Sequence, residues 1–251
     1  LLNALIDRRV TLCRADIQTG DPTQIIAEAL AVQDRMRTFY LCGVPQLSIV
    51  PEGSWCVLWT NAQVGGKGGK ATPQQYAQQA CLALDIARRR GLRVFIGQMD
   101  NLNNAWLGWL DQMIAAMGSR WAEVQQAACN WYPDGPGQSE NGHDGRTRAG
   151  DFDQLTQRIG TRPFIVPETG FHTARLTENT GFLGKGRKYW QLSEPDQLAR
   201  AQRMDQFLRS RPGCVGMVWY QLNDGPGTGY MDHYGWRHVD GTWKPVSTLW
   251  T

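Results

Sequence analysis

No C-x-x-C pair occurs anywhere in this chain, which removes the usual spacing of structural zinc sites and dithiol redox centres. The six cysteines are dispersed, and Cys13, Cys42, Cys56, Cys129 and Cys214 each fall in an apolar, strand-like stretch, with Cys81 on a helical one. Unpaired thiols in such places act as small hydrophobes, so no disulfide framework, metal or cofactor is expected. The pattern leans toward a reducing, cytoplasmic setting. Long hydrophobic runs are missing too. No stretch approaches the roughly 20 apolar residues that cross a bilayer, so no membrane partner is expected. No signal peptide is visible, a property shared by secreted chains whose signal has been removed. Nor is charge of one sign concentrated: Lys and Arg number 26 against 23 Asp and Glu, for a net charge of +3. The only basic run, Arg88-Arg89-Arg90, sits where a helix end meets its own negative dipole, so no nucleic-acid face is expected. A phosphate loop is absent, because Gly65-Gly66-Lys67-Gly68-Gly69-Lys70 lacks the G-x-x-x-x-G-K-[ST] spacing and Ala71 follows it.

What is present is a chain of 251 residues, 41% hydrophobic and 20% charged, with eleven tryptophans. That length suits one (β/α)8 barrel, typically about 250 residues. Strand-like and helix-like segments alternate. Strands are expected at 10–13, 39–44 (restarting at 47–50), 55–59, 92–96, 124–132, 162–168 and 215–220. Helices are expected from Asp21-Pro22 to Met36, from Thr72-Pro73 to Gly91, over 104–117, near 152–159, and from the Ser193 cap to about Leu208. Short apolar strands alternating with helices point to a parallel β/α architecture. No repeat or linker interrupts it, so residues 1–251 read as a single domain. Seven strands are one short of a closed barrel. Residues 1–7 resemble the tail of a helix, so a first strand is either missing or unrecognised. An open doubly wound sheet is the alternative fold.

One carboxylate stands out. Glu168 closes the apolar stretch Pro163-Phe164-Ile165-Val166-Pro167, about fifty residues before a second strand that ends in Trp219-Tyr220. TIM barrels present catalytic groups at the C-terminal ends of their strands. A lone Glu at such a place is otherwise a solvated or salt-bridged group.

Several strand ends together carry a resemblance. Trp59-Thr60-Asn61-Ala62-Gln63, Asn130-Trp131-Tyr132-Pro133, Pro167-Glu168-Thr169-Gly170 and Trp219-Tyr220-Gln221-Leu222-Asn223-Asp224, with Tyr234-Gly235 and Asp240-Gly241-Thr242-Trp243-Lys244-Pro245, resemble the clan of retaining TIM-barrel glycoside hydrolases that includes cellulases, mannanases and β-xylosidases. The resemblance spans most of the chain, through short motifs specific for the clan and not for a family within it. It implies an oligo- or polysaccharide substrate. It also implies Glu168 as nucleophile, Asn61 as the ligand of a sugar 2-hydroxyl, Arg14 as the cation that keeps the nucleophile ionised, Tyr132 as the tyrosine beside it, and Trp219 as the platform under the cleaved sugar. Position 62 departs from the pattern: the clan has the acid/base glutamate there, and this chain has Ala62.

Retaining cleavage needs two carboxyl groups about 5–5.5 Å apart, one ionised and one protonated. With alanine at 62 the second is missing. Either the glutamate was replaced deliberately, or the acid was lost or moved in nature. Asp100 and Asp134, just beyond their strands, are the candidates for relocation and otherwise sugar ligands. Trp131, Trp190, Trp236 and Trp243 lie in or beside loops and are expected as sugar platforms, whereas Trp106 and Trp109 are expected to pack the outer layer. Loops 133–150 and 171–192 exceed the usual length and are expected to shape the substrate site. His143, His172, His233 and His238 lie in loops without metal-ligand spacing, His233 and His238 being near Asp232 and Asp240. Two functions follow: a retaining glycoside hydrolase without its acid/base, or a non-catalytic carbohydrate-binding protein on a degenerate barrel. A phosphate-ester or metal hydrolase lacks both phosphate loop and ligand set.

Overall fold

The structure, a computed structural model, describes residues 55–57, 72–90, 93–97, 101–133, 146–174, 193–227 and 230–250. Strands and helices alternate in the order β1 (Trp55–Val57), α1 (Pro73–Arg90), β2 (Arg93–Ile96), α2 (Asn104–Met117), β3 (Gln126–Ala128), α3 (Arg148–Ile159), β4 (Phe164–Thr169), α4 (Glu194–Arg209) and β5 (Cys214–Trp219). Each strand pairs in parallel with the next, so the sheet order is β1-β2-β3-β4-β5. A doubly wound sheet reverses its order at a switch point. Among the described strands the order does not reverse, which favours the barrel over the open-sheet alternative. The five strands are successive staves of a (β/α)8 barrel. The expected strands at 10–13, 39–44 and 47–50 and the helix at 21–36 lie outside the described residues.

Local sequence explains the helix boundaries. Thr72 and Gln75 cap α1 reciprocally, the Gln75 amide donating to Thr72 Oγ1 at 3.2 Å and the Thr72 amide to Gln75 Oε1 at 2.9 Å. Ser193 and Asp196 form the same box before α4. Asn103 and Thr147 cap α2 and α3, while Gly118 and Gly160, at φ 56° and 65°, end them. Each cap is worth about 1 kcal/mol. Helix α3 starts at Arg148, earlier than the expected 152, because Thr147 supplies the cap and Arg146 pairs with Asp151 in the first turn at 3.0 Å. The strand expected over 124–132 shortens to Gln126–Ala128, preceded by a 3-10 segment at Gly118–Glu123.

Helix α1 approaches the sheet closely because Ala77, Ala80 and Ala83 share its buried face with Tyr76. The Tyr76 hydroxyl accepts from the Gly97 amide at 2.8 Å and pins the helix to the end of β2. Trp109 packs edge-on against Tyr76 (5.0 Å) and Trp106 against Trp109 (5.9 Å), in the outer layer where both were expected. Most of the core lies between sheet and helices, and Phe95, Ala128 and Ile165 form a smaller cluster on the inner face. Cys81, Cys129 and Cys214 are free, and burial pushes all three thiols above their ordinary values. The Asp240-Gly241 turn forms as expected: Gly241 sits at φ 87° and Arg237 bridges Trp243 antiparallel.

Candidate active site

Side chains alternate along β3 and its extension. Ala127, Cys129 and Trp131 belong to the outer core and Ala128 to the inner cluster. Continuing that period of two, Asn130 and Tyr132 point to the inner face. On β4 the same alternation starts with Phe164 and Val166 outward and Ile165 inward. It would carry Glu168 outward. The pairing register prevents this: Val166 faces Met217 and Thr169 faces Trp219, so β4 holds one residue more than β5 over that span. This bulge re-aims the side chain, a recurrent use of bulges beside functional sites. Thr169 turns outward, its hydroxyl donating to the Trp131 carbonyl at 2.6 Å and lying 3.0 Å from Met204 Sδ on α4. Glu168 turns inward.

There the carboxylate meets two donors. The Tyr132 hydroxyl donates to Oε1 at 2.5 Å and the Asn130 side-chain amide to Oε2 at 3.2 Å. One donor on each oxygen suits a group that can only accept when ionised. Glu168 is 8% exposed. Burial, and then the charge of Glu168, push the Tyr132 phenol well above its ordinary range, so its hydroxyl stays a donor. Tyr234 packs edge-on against Tyr132 (5.6 Å) and Tyr220 (5.8 Å), and together the three rings form an aromatic wall beside the carboxylate. Trp219 sits at the end of β5 opposite Thr169, its indole N–H donating to the Tyr234 carbonyl at 2.7 Å. Gly170 is required by close approach. A Cβ there would lie 2.8 Å from the Tyr220 carbonyl oxygen and 2.9 Å from the Tyr234 ring.

A buried ion pair holds the loop that carries Tyr234. Lys244 Nζ lies 2.6 Å from Asp224 Oδ2 and donates to Thr173 Oγ1 at 3.2 Å, while the Gly235 amide donates to Asp224 Oδ1 at 2.8 Å. Lys244 and Asp224 are almost fully enclosed, so removing either leaves an uncompensated charge. His238 adds a contact to Glu194 at the start of α4, 3.0 Å away. Among the described residues, no three or more His, Cys, Asp or Glu side chains are arranged to hold a metal ion.

Of the residues expected at the site, the structure brings Glu168 and Tyr132 together, whereas Trp219 pairs with the outward-turned Thr169, is 9% exposed and packs in the main core beside Phe171. Trp131 does not belong with that pair either. It is fully buried, its indole N–H donates to Asp151 at 3.2 Å, and it packs on Phe152 and Phe207 behind the sheet. Trp236 is likewise a core residue, 7% exposed, and Trp243 packs partly against the same core with the Arg237 guanidinium over its ring. The sugar-platform expectation is corrected for Trp131 and Trp236: loop position does not tell which way a ring turns. Arg14, Asn61, Ala62, Asp100, Asp134, His143 and Trp190 lie outside the described residues, as does most of each long loop. Asn130 was not expected as a partner of Glu168, although its position two residues before Tyr132 put it on the same face.

His172, four residues beyond Glu168, is held neutral. Burial first, then the nearby charges of His233 and Arg200, lower it to about 4. An unfolded histidine titrates near 6.5, so between the two values the unfolded chain binds the extra proton. Stability is therefore complete above pH 6.5 and is lost as pH falls toward 4, by at most ~3 kcal/mol. We expect denaturant midpoints between pH 7 and 4.5 to fall less steeply in His172→Asn than in the parent chain. Parallel slopes would refute this.

No protein-family model matches the chain, and no curated protein does. Solved structures share its (β/α)8 architecture, among them three glycoside hydrolases. A GH128 (subgroup II) endo-β-1,3-glucanase from Pseudomonas viridiflava superposes with a TM-score of 0.50 at 19% identity, over 71% of this chain and 62% of that one. A GH128 (subgroup VI) exo-β-1,3-glucanase from Aureobasidium namibiae gives 0.54 at 13%, over 80% and 68%. A fungal β-1,4-galactanase gives 0.57 at 12%, over 78% and 60%. The chain thus spans less than two thirds of the length of the first of these, 62%.

Proposed function

We propose that this chain is the barrel of a retaining glycoside hydrolase acting on β-linked glycans, with Glu168 as nucleophile and position 62 as the place of the acid/base. The observation that carries the reading is the inward carboxylate at the end of β4, with Tyr132 on one oxygen and Asn130 on the other. Such fixing orients a nucleophile toward an anomeric carbon before the substrate arrives. The likeness of the fold to β-1,3-glucanases and a β-1,4-galactanase supports the substrate class. In the reaction, Glu168 forms a bond to the anomeric carbon as the glycosidic bond breaks, and water later releases the sugar with retained configuration. In this reading Asn61, Arg14, Asp100 and Asp134 serve binding and charge around the sugar. With Ala62 in place, no side chain at that position can protonate a poor leaving group. That same alanine favours a second reading, a carbohydrate-binding protein on an inactive barrel.

The two readings separate on one experiment. A 2-fluoro glycoside with a good leaving group needs little proton donation, so it should label Glu168 covalently even in this form. Intact mass and peptide mapping read the result. Labelling of another residue, with Glu168 untouched, would remove the nucleophile assignment, and no labelling with any β-glycosyl donor would favour the binding protein.

A further inference from the structure

Strand β2 pairs with β3 only as far as Ile96 opposite Ala127. Beyond that point the extension of β3 still has a neighbour on its other side, where the Trp131 amide donates to the Glu168 carbonyl at 3.2 Å. On the β2 side the described pairing reaches Ile96 opposite Ala127, and the main chain of Tyr132 is engaged there by the Asn101 side chain. Asn101 Oδ1 accepts from the Tyr132 amide at 3.1 Å, and Asn101 Nδ2 donates to the Tyr132 carbonyl at 3.3 Å. The same oxygen accepts from the Leu102 amide at 3.1 Å, which fixes the Asn101 side chain against its own backbone. Asn101 is 6% exposed. A primary amide offers one acceptor and one donor side by side, the pair a neighbouring strand would present. Asn101 thus extends the sheet by one residue, at the residue whose hydroxyl reaches Glu168.

We propose that Asn101 is a positioning residue for Glu168, acting through Tyr132. The proposal rests on the glycosidase reading for its kinetic consequence, though not for the contact itself. Tyr132 is held from both sides: Asn101 grips its main chain, and Tyr220 and Tyr234 pack edge-on against its ring at 6.5 and 5.6 Å. The rings permit sliding along their faces, whereas the paired amide contacts set the height of the residue along the barrel axis. Losing them frees the hydroxyl to move from the 2.5 Å contact with Oε1. No sequence motif marks Asn101, because the main chain it binds lies 31 positions along the sequence.

The test combines a double-mutant cycle with a spectroscopic signal from Tyr132. Protein labelled with 13C at tyrosine Cζ gives a Tyr132 resonance, assigned by its loss in Tyr132→Phe, that senses the bond to Glu168 and shifts in Glu168→Gln. In Asn101→Ala that resonance should shift in the same direction as in Glu168→Gln, and labelling by the 2-fluoro glycoside should slow by roughly 10- to 100-fold. Adding Tyr132→Phe to Asn101→Ala should cost less than about 2-fold more, since both act on one contact. Asn101→Asp keeps the acceptor and loses the donor, so it should fall between; it also serves if the alanine variant does not fold. Leu155→Ala, a core change in α3, should lower Tm without moving the Tyr132 resonance. An unmoved resonance in both Asn101 variants, with effects that multiply with those of Tyr132→Phe, would overturn the proposal. A parent chain that is never labelled while the Asn101 variants still shift the resonance would sink the nucleophile assignment and leave the positioning intact.

Discussion

Ala62→Glu should raise turnover of unactivated β-glycosides by roughly 10²–10⁴-fold, the usual worth of a positioned general acid. Leaving groups such as a sugar hydroxyl depart as alkoxides unless protonated, and a methyl side chain supplies no proton. If position 62 is the place of the acid/base, a glutamate following Asn61 should restore the second carboxyl group that retention requires about 5–5.5 Å from the first. The gain should be largest for natural glycans and small for aryl glycosides whose leaving groups are already acidic. Steady-state rates of both chains on a panel of β-1,3-, β-1,4- and mixed-linkage glycans and galactans measure it. If no substrate in the panel responds, the barrel binds sugars without cleaving them, or its acid stands elsewhere, and Asp100 and Asp134 become the next residues to change.

Azide should restore turnover of activated aryl glycosides and divert the product to a glycosyl azide of retained configuration. If Glu168 is the nucleophile, it attacks such a donor unaided, but water then meets the glycosyl-enzyme without a base to activate it, and the intermediate should accumulate. A small anion needs no activation, and the space between an alanine and a glutamate side chain admits it. Acceleration of one to several orders of magnitude fits the deficit that the missing base creates. Product configuration by NMR and rate against azide concentration provide the test. Adding Glu168→Ala must abolish the effect, because no intermediate then forms. An azide product of inverted configuration would mean direct displacement and would remove Glu168 from the covalent role. Absence of any azide response, with Glu168 labelling confirmed, would move the acid/base away from position 62.

The alternation of elements was legible in the residues because it rests on local chemistry. Thr72-Pro73 and Ser193-Glu194-Pro195-Asp196 announce helix starts through caps that act within four residues. The helix expected from about Asn104 to Met117 forms over Asn104–Met117. Glu168 was recognisable through the strand-end motifs around it, since a lone carboxylate at a strand end is otherwise solvated or salt-bridged. Neighbours in space were harder to see. Asn130, Asn101 and the Lys244–Asp224 pair lie between 20 and 38 positions from the groups they serve.

The sequence by itself determined a parallel β/α chain of barrel length, most of its helix ends, and a carboxylate at a strand terminus. Tertiary structure alone decided which way that carboxylate turns. Side chains on a strand alternate with a period of two, so a single extra residue reverses every later side chain. The bulge between Val166 and Thr169 exists only because β4 pairs with β5 over unequal spans, which no stretch of β4 encodes. The same rule separates adjacent residues at 131 and 132. Trp131 turns outward to Asp151 and Phe152 while Tyr132 turns inward to Glu168, although both are aromatic and both end the same strand. Composition and motif place a residue at the end of a strand, and register places it on a face.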